Sequence, residues 1–117
     1  MQTDNTHTPE VPELTPTELK DRLDRDERLA LLDVREPHEY ALADLPEAGQ
    51  LRIPMRQVPG RVSELDPETD LVIYCRSGAR SGRVAAHLLA NGFRRVWNLK
   101  GGLLRWREDV DPTLRPY

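Results

Sequence analysis

The stretch "VIYCRSGARSGRVAAHLLANGF", residues 72–93, moves from an apolar run through a short glycine-centred turn into a helical pattern. The run "DLVIY" (70–74) follows the turn residues Asp66-Pro67 and is apolar after Asp70, as expected of a strand buried on both faces. The spacing predicts a helix over 79–91, with Val84, Leu88 and the neighbouring Ala85 and Leu89 on one stripe. Asn91-Gly92-Phe93 reads as its end, Gly92 left-handed and Phe93 folded back on the last turn. The only cysteine of the chain, Cys75, therefore stands where a strand stops and a helix starts.

The same alternation extends in both directions. Thr15-Pro16-Thr17-Glu18 has the form of a capping box, with a helix expected over 16–26. "LALLDV" (29–34) suits a buried strand, "EPHEYALA" (36–43) a short helix, and "QLRIP" (50–54) a strand ending at Pro54. Residues 55–65 are ambiguous, because Pro59-Gly60 interrupts any long helix. "RVWNL" (95–99) reads as a strand and "GGLLRWRED" (101–109) as a final helix. Short apolar strands alternating with helices imply an α/β domain, a central parallel sheet of about five strands with helices on both faces. Strand 70–74 is expected at its centre.

A chain of 117 residues is expected to form one domain, here 11–110, with a flexible tail over 1–10 and a second tail over 111–117. Nothing in it is apolar over the ~18 residues that a membrane helix needs. The polar start "MQTDNTHTPE" lacks the apolar core of a secretory signal, so the cytoplasm is the expected location. A single cysteine excludes an internal disulfide and a CxxC dithiol. The net charge of −3 argues against nucleic acid as a partner. The charge is unevenly spread: residues 75–107 carry eight Arg/Lys and no carboxylate, and residues 1–74 carry eight basic and seventeen acidic residues. A basic segment around the thiol is either a solvated face or an attractor of an anion or acidic partner.

In a parallel α/β sheet, ligands bind beyond the C-terminal strand ends. The turn after Cys75 leads into a helix N-terminus, whose free N–H groups form a concave anion site. Ser77 and Gly78 are small enough to let the backbone curl, and Gly78 can take positive φ. A thiol held there should have a lowered pKa, with Arg76 and Arg80 adding positive charge. The bland alternative is an inert core cysteine. Cysteine phosphatases and arsenate reductases use Cys-x5-Arg, wide enough for a tetrahedral phosphate. Cys75 to Arg80 is Cys-x4-Arg, a smaller ring that suits a sulfur atom better.

These residues resemble the rhodanese-type sulfurtransferases. "YCRSGARS" is similar to that family's active-site loop, "LLDVREPHEY" (31–40) to its early motif, "LRIP" (51–54) to its next strand, and "VWNLKGGLLRW" (96–106) to its close. The resemblance covers about residues 11–110 in the single-domain form. It departs at "ADLPEAG" (43–49), where Asp44 stands in place of a usual histidine. The closing "DVDPTLRPY" (109–117) is similar to the tail of rhodanese domains fused to enzymes that adenylate sulfur carriers; a proline-terminated tail with no special role is the other reading.

The resemblance implies a double displacement. Cys75 takes a sulfane sulfur from a small anionic donor, thiosulfate or a persulfide, and holds it as a persulfide cradled by residues 76–80. A nucleophile then removes it: cyanide in vitro, a thiol or an acidic sulfur-carrier protein in the cell. No metal or organic cofactor is implied. Arg76, Ser77, Gly78, Ala79 and Arg80 are the implied substrate-binding residues, Arg76 foremost. Asp33 and Arg35, at the end of strand 29–34, are candidates for a supporting role at the same sheet edge. His38 and His87 read as structural or solvated, and Trp97 and Trp106 as packing between sheet and helix. The competing functions are a non-catalytic rhodanese-like interaction module, which usually lacks the cysteine, and a small phosphatase or arsenate reductase.

Overall fold

The computed structural model describes residues 10–46 and 49–117. Five strands form one parallel sheet: β1 (Glu13–Leu14), β2 (Ala30–Asp33), β3 (Gln50–Arg52), β4 (Leu71–Tyr74) and β5 (Val96–Leu99). Their spatial order is β1-β5-β4-β2-β3, so β4 is central. The helices are α1 (Pro16–Asp24), α2 (Pro37–Tyr40), α3 (Ala79–Ala90) and α4 (Gly102–Asp109), with a 3-10 segment over Met55–Glu64. Of the expected 1–10 tail, residues 1–9 lie outside the described residues.

The centre of the sheet follows from side-chain alternation. Leu71, Ile73 and Cys75 face one core with Val84, Ala85 and Leu88 of α3 and Val58 of the 3-10 segment. Val72 and Tyr74 face the other, with Leu19 of α1 and Leu103 and Trp106 of α4. Both faces of β4 are therefore covered, which is why its sequence is apolar without a break. Trp106 is buried as expected; Trp97 is half-buried, with the Arg22 guanidinium 5.5 Å from its ring.

Local signals set most boundaries. The capping box forms: Thr15 Oγ1 accepts from Glu18 N–H at 3.2 Å, and Glu18 Oε1 accepts from Thr15 N–H at 2.8 Å. Helix α1 stops before residue 26 because Asp26 takes a left-handed φ of 60°. Helix α3 ends as its glycine predicts, with Gly92 at φ 94° and Phe93 N–H donating to Leu88 O at 3.0 Å. The helix expected over 36–43 is shorter, because the buried Arg35 guanidinium draws the carbonyls of Glu39 and Ala43 to itself at 3.0 and 2.9 Å. The ambiguous 55–65 is a 3-10 segment with a kink at Arg61 (φ −127°, ψ 19°), two residues past Pro59. Residues 111–117 lie on the domain: Leu114 and Tyr117 pack against the α1/α4 core, and Leu114 O accepts from Arg107 Nε at 2.7 Å.

Candidate active site

Parallel pairing aligns the C-terminal ends of the central strands. Asp33 of β2 sits opposite Tyr74 of β4, and Ile73 opposite Asn98 of β5. Cys75 follows β4 directly and is fully buried, but its surroundings are polar. Sγ accepts from Gly78 N–H at 3.1 Å, from Ser81 N–H at 3.5 Å and from Ser81 Oγ at 3.3 Å. Gly78 has φ 98°, a left-handed conformation that turns the chain into α3. Burial pushes the thiol up; hydrogen bonds from Ser81 and from the Gly78 and Ser77 amides outweigh it and hold Cys75 below its ordinary value. The direction matches the sequence expectation. Its main source is Ser81 and the backbone, not the two arginines.

The glycine pair of "KGG" closes the loop from behind. The first amides of α4 meet the carbonyls that the loop leaves open: Leu103 N–H donates to Cys75 O and Leu104 N–H to Arg76 O, both at 3.0 Å. This approach leaves no room for a side chain at Gly102. A Cβ there would stand 2.5 Å from Arg76 O and 2.6 Å from Cys75 O.

The residues expected to bind substrate separate into two groups. Ser77, Gly78 and Ala79 form the turn and the start of α3, with Ser77 and Ala79 exposed. Arg76 is exposed; its Nε donates to the main-chain oxygen of Tyr117 and its guanidinium lies 5.5 Å from the Tyr117 ring. Arg80 is engaged elsewhere: its two terminal nitrogens grip the Glu39 carboxylate at 2.7 and 2.9 Å. That pair holds Glu39 well below the usual carboxylate range, at about 2, against the opposing effect of burial.

Asp33 and Arg35 are both fully buried and form a two-pronged pair, Nε to Oδ1 at 2.9 Å and Nη2 to Oδ2 at 2.8 Å. Arg35 also donates to Tyr117 Oη at 2.8 Å. Asp33 takes a second cation, Arg52, at 2.6 Å. Asp44, where the resembling family has histidine, joins this network: it pairs with Arg52 and accepts from Tyr74 Oη at 2.9 Å. Burial, then the charges of Asp33 and Asp44, pushes the Tyr74 phenol up, so it stays a donor. Residues 47 and 48 of the 43–49 loop lie outside the described residues. His38 and His87 are exposed.

Two residues at the thiol were missed by the sequence argument. Ser81 is fully buried and its hydroxyl lies 2.6 Å from Asn98 Oδ1. Asn98 Nδ2 in turn donates to Gly78 O at 3.1 Å. Each left a signal in the sequence: Ser81 is a polar residue on the stripe of Ala85 and Leu88, and Asn98 is polar within the apolar strand "VWNL". Glu39 and Tyr117 left none, because their partners are 41 residues away in the chain.

Strand-end cysteine, converging amides and helix N-terminus meet at one end of the parallel sheet of an α/β domain. Residues 15–109 match the Rhodanese-like domain, and the chain belongs to that family. It is 42% identical over 106 residues to a sulfurtransferase of Allochromatium vinosum, across 91% of this chain and 97% of the relative. It is 31% identical over 104 residues to the "Probable adenylyltransferase/sulfurtransferase MoeZ" of Mycobacterium tuberculosis, across 89% of this chain and 26% of that longer protein. The fold matches the crystal structure of a rhodanese-like domain protein from Staphylococcus aureus with a TM-score of 0.76 and 29% identity, over 92% of this chain and 99% of that one.

Proposed function

We propose that the chain is a sulfurtransferase that moves a sulfane sulfur from an anionic donor such as thiosulfate, through a persulfide on Cys75, to a nucleophilic acceptor. The observation that carries this reading is the set of donors around Cys75 Sγ: the Gly78 and Ser81 amides and the Ser81 hydroxyl. Thiolate attacks the outer sulfur of thiosulfate; the donor's S–S bond breaks and sulfite leaves with the electron pair. The new terminal sulfur carries the negative charge, and free amides at the start of α3 stabilise it as they would an oxyanion. An acceptor then attacks that sulfur and Cys75 returns as thiolate. Cyanide gives thiocyanate in vitro; in the cell the acceptor is a thiol or an acidic sulfur-carrier protein. The acidic partner is supported by the exposed cations Arg83, Arg94 and Lys100 of the basic segment from Arg76 to Arg107, of which Arg80, Arg95 and Arg105 pair with Glu39, Asp70 and Asp109. No second cysteine is present to resolve the persulfide as a disulfide, so the sulfur passes to another molecule. The chemistry suits the reducing cytoplasm, where a lone thiol stays free.

Intact-mass measurement after incubation with thiosulfate tests the proposal. One added sulfur atom is expected on the wild type and none on Cys75→Ser, with thiocyanate formation lost in the same variant. An unmodified wild type that still binds protein partners would instead point to an interaction module.

A further inference from the structure

We propose that Tyr117 is a positioning residue that sets the preference for a doubly charged donor by holding Arg76 at the rim of the cysteine loop. This rests on the sulfur-transfer reading above and extends it to a residue outside the loop. Arg76 is an exposed side chain with many rotamers, yet it is held from two directions. Its Nε donates to the main-chain oxygen of Tyr117, and the tyrosine ring lies 5.5 Å from its guanidinium carbon. The two Nη groups have no partner among the described residues, and a pair of N–H forks suits two sulfonate oxygens.

Tyr117 is itself fixed from the core. Its hydroxyl accepts from the buried Arg35 at 2.8 Å and donates to Glu39 Oε1 at 3.3 Å. Glu39 is the carboxylate that holds Arg80. One side chain thus ties the buried Asp33–Arg35 pair to both arginines that flank the cysteine loop. Tyr117 touches neither Cys75 nor the loop amides, so its action on the donor goes through Arg76. An arginine already ordered loses less freedom on binding an anion.

The test compares thiosulfate with an alkyl persulfide, which lacks the sulfonate and carries one negative charge, in wild type, Tyr117→Ala and Tyr117→Phe. Tyr117→Ala should raise KM for thiosulfate roughly three- to tenfold while kcat holds, by the usual cost of ordering a free side chain. KM for the alkyl persulfide should stay within about twofold. Tyr117→Phe keeps the ring and the main-chain oxygen but loses the hydroxyl's bonds to Arg35 and Glu39, and should fall between wild type and Tyr117→Ala. Calorimetric titration of thiosulfate into Cys75→Ser, with and without Tyr117→Ala, reads the same weakening without turnover. If that weakening appears while the wild type carries no sulfur on Cys75, the positioning role stands and the sulfur-transfer reading falls. If the wild type turns over and Tyr117→Ala leaves both thiosulfate constants unchanged, or lowers them because the segment had blocked the donor, the positioning role is overturned alone. Equal losses for both donors overturn it too, since the tyrosine would then merely support the loop.

Discussion

Replacing Ser81 with alanine should raise the Cys75 pKa, and the size of the rise follows from where one proton sits. The Ser81 hydroxyl lies 3.3 Å from Cys75 Sγ and 2.6 Å from Asn98 Oδ1. It has one hydrogen to give. Asn98 is oriented by its donation to Gly78 O, so its oxygen faces Ser81 and can only accept. With a neutral thiol, the hydrogen goes to the nearer acceptor, Asn98. On ionisation it gains most by turning to the thiolate. A hydrogen bond to a charged group contributes about 1.5–3 kcal/mol, and the neutral bond given up at Asn98 about 1 kcal/mol. The net is about 0.5–2 kcal/mol, and at about 1.4 kcal/mol per unit the alanine variant should titrate roughly half a unit to one and a half units higher. Alkylation by iodoacetamide as a function of pH measures this cleanly, because Cys75 is the only thiol. The wild-type midpoint is expected below the free value of about 8.5. An alanine midpoint equal to or below wild type would refute the reasoning: the hydrogen would stay on Asn98 in both states, leaving the stabilisation to the two amides.

Three further outcomes are expected. Gly102→Ala places a Cβ about where two carbonyls already stand, at a φ of 60°, and should destabilise the fold by about 2–4 kcal/mol in urea and lower the alkylation rate; a stable, fully reactive variant would mean that α4 does not hold the loop. Glu39 has a folded pKa of about 2 against an ordinary 4.5, so its contribution is complete above the unfolded value and is lost as pH falls through the folded one. The wild type should therefore lose stability between those two values in a way that Glu39→Gln does not, and parallel urea midpoints across that window would remove the ion pair as a source of stability. Arg76→Ala should raise KM for thiosulfate by roughly ten- to a hundredfold, the loss of a charged hydrogen bond, and affect an alkyl persulfide, which has no sulfonate, much less; equal losses would make Arg76 a shaper of the loop.

The parts of the fold legible in the sequence are those whose causes are local. Strand β4 declares itself through four consecutive buried residues, and α3 through its stripe and its Gly92 end. Strand β1 has only two residues, too few to show a period, and is defined by pairing with β5. The 3-10 segment was opaque because proline at 59 and a kink at Arg61 break any helical count. At the site, the cysteine turn is contiguous and could be read as a unit. The GG pair could be seen but not explained, because its reason is the approach of α4 to the carbonyls of Cys75 and Arg76, some 26 residues earlier in the chain. Asp44 shows the same limit: its departure from the family's histidine is answered by Arg52 and Tyr74, which no local pattern connects to it.

The pairing of Arg80 with Glu39 changes the electrostatics expected of the loop. Two permanent charges beside the thiol would favour a polyanion seated inside the ring. Arg80 and Glu39 together sum to zero, which weakens the positive field that Arg80 alone would give the loop. What remains near Cys75 is a set of amides around one atom, the start of α3, and the single charge of Arg76. Amides that converge on Sγ at 3.1–3.5 Å favour negative charge on a single sulfur atom. A phosphate dianion would require charge on several oxygens at once, and the arginine available to a Cys-x4-Arg turn is already neutralised by a carboxylate. Under the proposed function the site would be divided: the ring would stabilise one sulfur, and Arg76 at its rim would recognise the part of the donor that departs. That division also predicts product behaviour, since sulfite keeps the oxygens that Arg76 would bind, and should compete with thiosulfate more strongly in the wild type than in Arg76→Ala.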